Sequence, residues 1–220
     1  MTDIQVPNHR TALAALQTNL KEMLPAAALD VFAADAQALQ ARHTAVLQRQ
    51  VGDQAPDFTL SNATNEPINL QMLLRAGRVV LTFYRGTWCP YCNLQLGQLQ
   101  QILPEIQAAG ATLVAISPQT PDASLSMQEK NKLGFEVLSD NGNLVARQYT
   151  TVFRNADAPV NAMTDLGLHF DGFYADDSRE LPVPATFVID RAGTITFAQS
   201  TGGDYRDRVE PAAILAALRG

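Results

Sequence analysis

The sequence predicts an α/β protein with a central mixed β-sheet packed between helices, preceded by a helical extension at the N-terminus. From residue 51 onward, short apolar runs typical of buried strands alternate with segments of helical periodicity. Residues 1–50 carry leucines at helical spacing but no strand pattern. We therefore divide the chain into a helical extension, residues 1–50, and an α/β domain, residues 51–220.

The composition excludes several classes of function. The chain has 220 residues, of which 46% are hydrophobic and 17% charged, so it can bury a full core. Its net charge is −6 and its basic residues are not clustered, which argues against nucleic-acid or anionic-membrane partners. No apolar run approaches the roughly 20 residues of a membrane-spanning helix. Polar residues also interrupt the N-terminal stretch where a signal peptide is apolar, so we expect a cytoplasmic protein.

Two helices are predicted in the extension. Leucines at positions 13, 16, 20 and 24 share one helix face, and Pro25 ends this pattern. A second helix, rich in alanine and glutamine, follows it. Neither helix carries a cluster of titratable residues, so we expect the extension to serve in packing or in a dimer contact rather than in catalysis.

Four short runs predict strands in the first half of the α/β domain. Residues 58–60 and 67–70 flank a turn rich in asparagine and threonine, which indicates a hairpin. Residues 79–83 and 112–116 are almost entirely apolar or β-branched, which is typical of central strands buried on both faces.

A helix is predicted between these two central strands. Apolar residues recur at i, i+3, i+7 and i+10 from Leu96 to Ile106, and the pattern ends near Gly110. Pro104 lies inside this pattern, so we expect it to kink or shorten the helix.

The second half of the domain continues the alternation of helices and strands. Residues 151–182 have mixed polarity and no clear period, which predicts an insertion or a long loop. The whole order of elements matches a thioredoxin-like fold. The remaining predicted elements are helices at 123–133, 144–149 and 211–218, a strand at 136–138, and a hairpin of residues 185–189 and 194–198.

The two cysteines of the chain form a single Cys-x-x-Cys motif, Cys89 and Cys92. The loop they close is too short to stabilise a fold, and in a reducing compartment such a pair is more often redox-active or metal-binding. The motif lies between a predicted strand and a predicted helix, so the cysteines occupy the first helical turn. Unpaired backbone N–H groups and the helix dipole favour the thiolate there. The spacing also brings both sulfurs to one side of the turn, near enough to form a disulfide.

The neighbours of the cysteines fit this interpretation. Arg85 can add a fixed positive charge if its side chain folds back, Pro90 is compatible with a helix start, and Trp88 is expected to cover the apolar flank of the site. A zinc site would need four ligands, and the three histidines are isolated in sequence. We therefore expect no metal and no other cofactor.

Four segments carry a family resemblance, together with the cysteine motif: residues 52–60, 79–84, 138–140 and 185–190. On these residues the chain, from about position 51 to its end, resembles the peroxiredoxins of the alkyl hydroperoxide reductase/thiol-specific antioxidant group. Peroxiredoxins carry a Pro-x-x-x-Thr-x-x-Cys signature whose cysteine attacks the peroxide.

The signature is altered in this chain. Its cysteine corresponds to Cys92, its threonine position is Cys89, and its proline position is Arg85. A further family arginine, just before the strand at 185–189, falls on Pro184.

These departures resemble thioredoxins and glutaredoxins. Trp-Cys-x-x-Cys is the thioredoxin form and Cys-Pro-Tyr-Cys the glutaredoxin form, and Val183–Pro184 lies where thioredoxin-like proteins place a cis-proline. From this resemblance we expect a substrate-binding surface made of Thr87, Trp88, Tyr91, Val183 and Pro184.

The resemblance implies a thiol-dependent peroxidase that reduces hydrogen peroxide or organic hydroperoxides. Cys92 would attack the peroxide with support from Arg85, and Cys89 would resolve the sulfenic acid to a disulfide. Thioredoxin, glutaredoxin or glutathione would then reduce this disulfide. A homodimer is expected, because peroxiredoxins often dimerise.

Two alternatives stay open. In a disulfide reductase of the thioredoxin or glutaredoxin type, Cys89 would be the exposed nucleophile and Cys92 the resolving cysteine. In a non-catalytic redox sensor, the disulfide would change a partner contact made by residues 1–50 or 151–182.

Overall fold

The computed structural model describes residues 5–220, so the first four residues of the predicted extension lie outside the described part. The helices are α1 (His9–Met23), α2 (Ala26–Arg42), α3 (Leu70–Ala76), α4 (Pro90–Gln101), α5 (Leu103–Ala108), α6 (Pro121–Asn131), α7 (Ala146–Tyr149), α8 (Asp157–Asp165) and α9 (Pro211–Arg219). The strands are β1 (Thr59–Asn62), β2 (Pro67–Asn69), β3 (Arg78–Phe83), β4 (Ala111–Ser117), β5 (Glu136–Ser139), β6 (Val152–Arg154), β7 (Glu180–Pro182), β8 (Ala185–Ile189) and β9 (Ile195–Ser200).

The centre of the fold is a seven-stranded sheet with the strand order β2-β1-β5-β4-β3-β8-β9. The pairs β3–β4 and β4–β5 are parallel, and the other pairs are antiparallel. Strand β8 and nearly all of β3 are buried, which is why their sequences are nearly continuous apolar runs. The predicted α/β fold around a central mixed sheet is confirmed.

Helices cover both faces of this sheet. Apolar residues of α4, α5, α6 and α9 form one core layer, and those of α3 and α7 form the other. The predicted helix after the cysteines is interrupted at Ile102, where α4 ends and α5 begins. Pro104 lies in the first turn of α5, where its missing N–H is not needed, so the expected shortening at this proline is confirmed.

Residues 151–182 do not form the long loop that was predicted. Strands β6 and β7 pair with each other as a separate two-stranded sheet, and α8 and a 3₁₀ turn (Phe170–Phe173) lie between them. The long-loop alternative was therefore wrong, whereas the prediction of an insertion is not contradicted. The strands were missed because no short turn marks them, unlike the equally short β2. Phe153, Val160 and Met163 nevertheless bury their side chains against α2, which gives this segment its own apolar core.

The extension packs against the α/β domain through both of its helices. Helix α1 contacts α4, and the buried His9 places its Nδ1 2.8 Å from Oε1 of Gln98. The Glu210 carboxylate accepts hydrogen bonds from the first backbone amides of α1, including that of His9 at 2.7 Å. Helix α2 contacts α8. Within residues 5–220, no helix has both the length and the apolarity needed to cross a bilayer.

Candidate active site

The two cysteines lie after the end of β3, at the start of α4. Cys89 occupies the position just before the helix, Pro90 is in its first turn, and Cys92 follows in that same turn. The amides of Cys92 and Asn93 both donate to the Cys89 carbonyl, at 3.1 Å each. Both cysteines are free thiols and both are buried, with 1% of Cys89 and none of Cys92 exposed.

Cys92 accepts a hydrogen bond from Arg208, a residue that was not predicted to belong to the site. The Nη2 of Arg208 lies 3.3 Å from the Cys92 Sγ. Arg208 is itself buried, and its Nε donates to Oε1 of Gln95 at 2.9 Å while its Nη1 donates to the carbonyls of Asp207, at 2.7 Å, and Tyr205. These acceptors fix the guanidinium beside the sulfur.

The environment of Cys92 favours the thiolate. Burial by itself raises the pKa of this thiol, but the hydrogen bond from Cys89 and the Arg208 guanidinium more than offset burial and hold the pKa well below its ordinary range. The backbone amide and the charge of Arg85 act in the same direction on the Cys92 pKa.

The pKa of Cys89 is shifted in the opposite direction to that of Cys92. Burial raises the pKa of its thiol, and the hydrogen bond that it gives to Cys92 raises this pKa further. These opposite shifts favour the thiolate at Cys92 and the protonated thiol at Cys89. The raised pKa of Cys89 disfavours the alternative in which Cys89 is the nucleophile.

Arg85 lies against aromatic rings rather than in an ion pair. Its Cζ is 3.7 Å from the centroid of the Tyr205 ring and 4.7 Å from that of Trp88, distances typical of cation–π contacts. The buried Asp35 of α2 adds a carboxylate to this environment, and burial raises its pKa although the charge of Arg85 opposes the rise. Helix α2 thus brings an ionisable group close to Arg85, which the sequence did not indicate. The role of the extension in packing or in a dimer contact stays a prediction.

A groove of about 810 Å³ opens beside the cysteines, between the extension, α8 and the start of α4. Cys89 and Arg85 line this groove, whereas Cys92 does not. Trp88 and Tyr91, two of the predicted binding residues, also line it. The indole N–H of Trp88 donates to the Tyr174 hydroxyl at 2.7 Å, which fixes the ring at the edge of the groove.

Three of the predicted binding residues do not line the groove. Thr87 is used inside the protein, since its amide and hydroxyl both donate to Oε1 of Gln119, at 2.8 and 3.2 Å. Val183 is buried and its carbonyl accepts from the Thr150 hydroxyl at 2.9 Å, and Pro184 is buried as well. Every peptide bond within residues 5–220 is trans, so the cis-proline considered at Pro184 is not present.

The missed residues lacked a signal in the sequence. Arg208 stands in a run of alternating charges, residues 204–210, that looks like a solvated loop, and only tertiary packing buries it. Asp35 is one acidic residue in a helix of weak amphipathic pattern, and Tyr205 is an isolated aromatic residue. Residues 5–220 bring no group of three or more His, Cys, Asp or Glu side chains together in a metal-binding cluster.

The sequence matches the model of a known protein family. The family model described as the AhpC/TSA family matches residues 51–198. Because this match covers more than half of the sequence, the chain belongs to the AhpC/TSA family, and the predicted resemblance is confirmed.

Individual relatives agree with this assignment. "Putative peroxiredoxin bcp" of Haemophilus influenzae is 34% identical over 99 residues, which cover 45% of this chain and 63% of the relative. "Peroxiredoxin Bcp" of Escherichia coli is 32% identical over 100 residues, which cover 46% and 64%. The chain thus spans slightly less than two thirds of the length of these curated relatives.

A solved structure supports the fold. The chain is similar to peroxidoxin BcpB from Mycobacterium tuberculosis with a TM-score of 0.60 and 25% identity, over 77% of this chain and 96% of that chain. The predicted thioredoxin-like fold is confirmed by this similarity.

Proposed function

We propose that the protein is a thiol-dependent peroxidase that reduces a peroxide through a cycle of the Cys89–Cys92 dithiol and its disulfide. The observation that carries this proposal is the contact between the Arg208 guanidinium and the Cys92 sulfur. A thiolate, and not a thiol, is the nucleophile that attacks a peroxide. Membership of the AhpC/TSA family and the printed names of the relatives support the same activity.

In the first step the Cys92 thiolate attacks one oxygen of the peroxide ROOH. An S–O bond forms and the O–O bond breaks, so that Cys92 is oxidised to a sulfenic acid and the peroxide is reduced to ROH. The leaving alkoxide needs a proton. We assign this proton to the Cys89 thiol, whose raised pKa keeps it protonated beside Cys92.

Arg208 supplies the positive charge that this step requires. The corresponding family arginine position is occupied by Pro184, which has no charge. Arg208 reaches the sulfur from the segment before α9 instead, and Gln95 of α4 orients it. A donor fixed in advance costs no reorganisation when charge develops on the leaving oxygen.

In the second step Cys89 attacks the Cys92 sulfenic acid. Cys89 is a thiolate at this point, because it gave its proton to the leaving oxygen in the first step. An S–S bond forms, the S–O bond breaks, and the leaving hydroxide takes a proton from solvent and departs as water. Two equivalents of an external thiol then reduce the disulfide and are themselves oxidised to a disulfide. The predicted homodimer and the identity of the reductant belong to this proposal and stay predictions.

Rapid mixing of the reduced protein with hydrogen peroxide tests the proposal, with the fluorescence of Trp88, the only tryptophan, as the signal. We expect oxidation much faster than that of a free thiol, followed by a slower phase in which the disulfide forms. Cys92→Ser should abolish both phases. If Cys92→Ser instead collects mixed disulfides through Cys89, the protein is a disulfide reductase and the proposal fails.

A further inference from the structure

Arg85 is a buried cation with a hydrogen-bond donor that no residue in the described part of the chain satisfies. Its side chain is nearly inaccessible, with 2% of the residue exposed. Its Nε is buried and has no acceptor among residues 5–220, and no ion pair within that part of the chain includes its guanidinium. A buried guanidinium without acceptors is costly, because the stacking on Tyr205 and Trp88 does not replace the hydrogen bonds lost from water.

Arg208, the other buried arginine of the site, differs from Arg85 in its hydrogen bonds. Arg208 donates to a side-chain amide, to two backbone carbonyls and to the Cys92 sulfur. Arg208 is therefore satisfied by the protein itself, whereas Arg85 lines the groove and its Nε has no acceptor among residues 5–220. This difference points to a ligand that brings an acceptor to Arg85.

The acceptor is expected to be anionic. Burial opposes the protonated guanidinium, but the charges of Cys92 and Asp35 favour it, and an arginine keeps its charge in proteins. The negative charge on Cys92 disappears when the disulfide forms, so the oxidised site is left with more positive charge than the reduced site. A carboxylate, which matches the planar fork of an arginine, would bind the oxidised form best.

The groove sets the size and polarity of the rest of the ligand. Its volume of about 810 Å³ suits a small molecule, and its walls are mostly apolar, with side chains of the extension and of α8 such as Leu20, Met23, Phe32 and Met163 among them. Cys89 lines this groove but is only 1% exposed, so a small thiol can approach its sulfur more readily than a thiol on the surface of a folded protein.

We propose that this groove binds the reductant of the disulfide, and that the reductant is a small thiol with an apolar body and a carboxylate that bonds to Arg85. This inference rests on the proposed peroxidase cycle. The ligand thiolate attacks the Cys89 sulfur, forming a mixed disulfide and releasing Cys92 as a thiolate beside Arg208. A second thiol, from the same or another molecule, attacks the mixed disulfide; the oxidised ligand leaves and Cys89 takes up a proton.

Dihydrolipoate and dihydrolipoamide are suitable probes, because they share the dithiol and the apolar chain and differ only in the carboxylate. The protein disulfide is prepared with diamide, so that the measurement does not depend on whether peroxide is a substrate. Its reduction is followed by Trp88 fluorescence in the wild-type protein, in Arg85→Gln and in Arg85→Lys. Arg191→Gln, which removes an exposed arginine away from the groove, is the matched control.

We expect wild-type protein and Arg191→Gln to react on the order of tenfold faster with dihydrolipoate than with dihydrolipoamide, as a charge-assisted hydrogen bond implies. Arg85→Gln should reduce this ratio to about one, and Arg85→Lys should keep part of it. The ratio of the two rates reports only the effect of the carboxylate, because any effect of Arg85 on the cysteines changes the rates with both probes equally. Equal rates in the wild-type protein, or a preference that persists in Arg85→Gln, would overturn the inference.

A measurement without variants keeps the inference testable if the substitutions prevent folding. Octanoate should quench or shift Trp88 fluorescence of the oxidised wild-type protein at lower concentration than neutral octanamide does. If carboxylates instead accelerate only the peroxide step, so that a hydroperoxy acid reacts faster than its methyl ester while both thiol probes react equally, the groove serves the peroxide and the inference is wrong. Failure of the peroxide step alone would contradict only the proposed peroxidase activity.

Discussion

Arg208 and Cys92 are 116 positions apart in the sequence, and their Nη2 and Sγ atoms lie 3.3 Å from each other in the fold. The contact joins the segment before α9 to the first turn of α4. Both residues are buried, so solvent screens their interaction little. The charge of Arg208 is therefore expected to act at nearly full strength on the thiolate.

Replacing Arg208 with glutamine should slow the oxidation of the protein by hydrogen peroxide at neutral pH by about 10- to 100-fold, the range of a lost charge-assisted hydrogen bond. The pKa of Cys92 is held below its ordinary range in the folded protein, so the rate should fall as the pH drops through that pKa. Without Arg208 the Cys92 pKa rises and this fall moves to higher pH. Stopped-flow rates measured across pH test both statements.

Two further variants separate charge from structure in that experiment. Arg208→Lys keeps the charge and should restore part of the rate at neutral pH. Arg147→Gln removes an arginine that is paired with Glu180 on the surface, and it should leave the rate unchanged. A pH profile of Arg208→Gln that coincides with that of the wild-type protein would show that Arg208 does not stabilise the thiolate.

The sequence predicted the parts of this site that depend on local structure. The apolar run that becomes β3 and the periodic residues of α4 place the Cys-x-x-Cys motif at a helix start, as observed. Most strands and helices of the α/β domain were likewise predicted from hydrophobic patterns with a period of two or 3.6 residues. The short strands β6 and β7 were missed because they are far apart in sequence and no turn signal joins them, whereas a turn marked the equally short β2.

The electrostatic environment of the cysteines was not predictable in this way. Arg208 and Asp35 approach the site from the two ends of the chain, and nothing in their local sequence distinguishes them from surface charges. Their burial depends on how α2 and the segment before α9 pack against α4. Long-range packing of this kind leaves no pattern in a single sequence.

Replacing Cys89 with serine should separate the two steps of the proposed cycle. The serine hydroxyl can still donate a hydrogen bond to the Cys92 thiolate, so the first reaction with peroxide should stay within about tenfold of the wild-type rate. The resolving sulfur is absent, however, and the sulfenic acid should accumulate. Labelling with dimedone, followed by mass spectrometry, should find the adduct on Cys92 in this variant.

The reciprocal variant provides the control for this labelling. Cys92→Ser should give no dimedone adduct and no rapid response to peroxide, because the remaining thiol of Cys89 has a raised pKa. An adduct on Cys89 in Cys92→Ser, formed at the rate of the wild-type protein, would reverse the proposed roles of the two cysteines.

The burial of Cys92 should make the protein select small peroxides. None of Cys92 is exposed, and Cys89 rather than Cys92 lines the groove, so a bulky peroxide reaches the thiolate only after local opening. We expect hydrogen peroxide to react about tenfold faster than cumene hydroperoxide, which corresponds to an opening cost of about 1.4 kcal/mol. The reference is the ratio of the rates at which the same two peroxides oxidise a free small-molecule thiol. A protein ratio equal to this reference would mean that Cys92 is freely accessible in solution.

Gly203 should limit how closely the extension packs against the α/β domain. A Cβ at this position would lie 2.2 Å from the Leu39 carbonyl oxygen of α2, a contact that requires the backbone to shift. Gly203→Ala should therefore lower the free energy of unfolding by about 1–3 kcal/mol. Gly97→Ala is the matched control, because its Cβ would meet no atom within 4 Å and alanine favours a helix, so it should stabilise the protein by up to about 1 kcal/mol. Urea denaturation measures both changes, and equal stabilities of the two variants would show that α2 does not pack against Gly203 in solution.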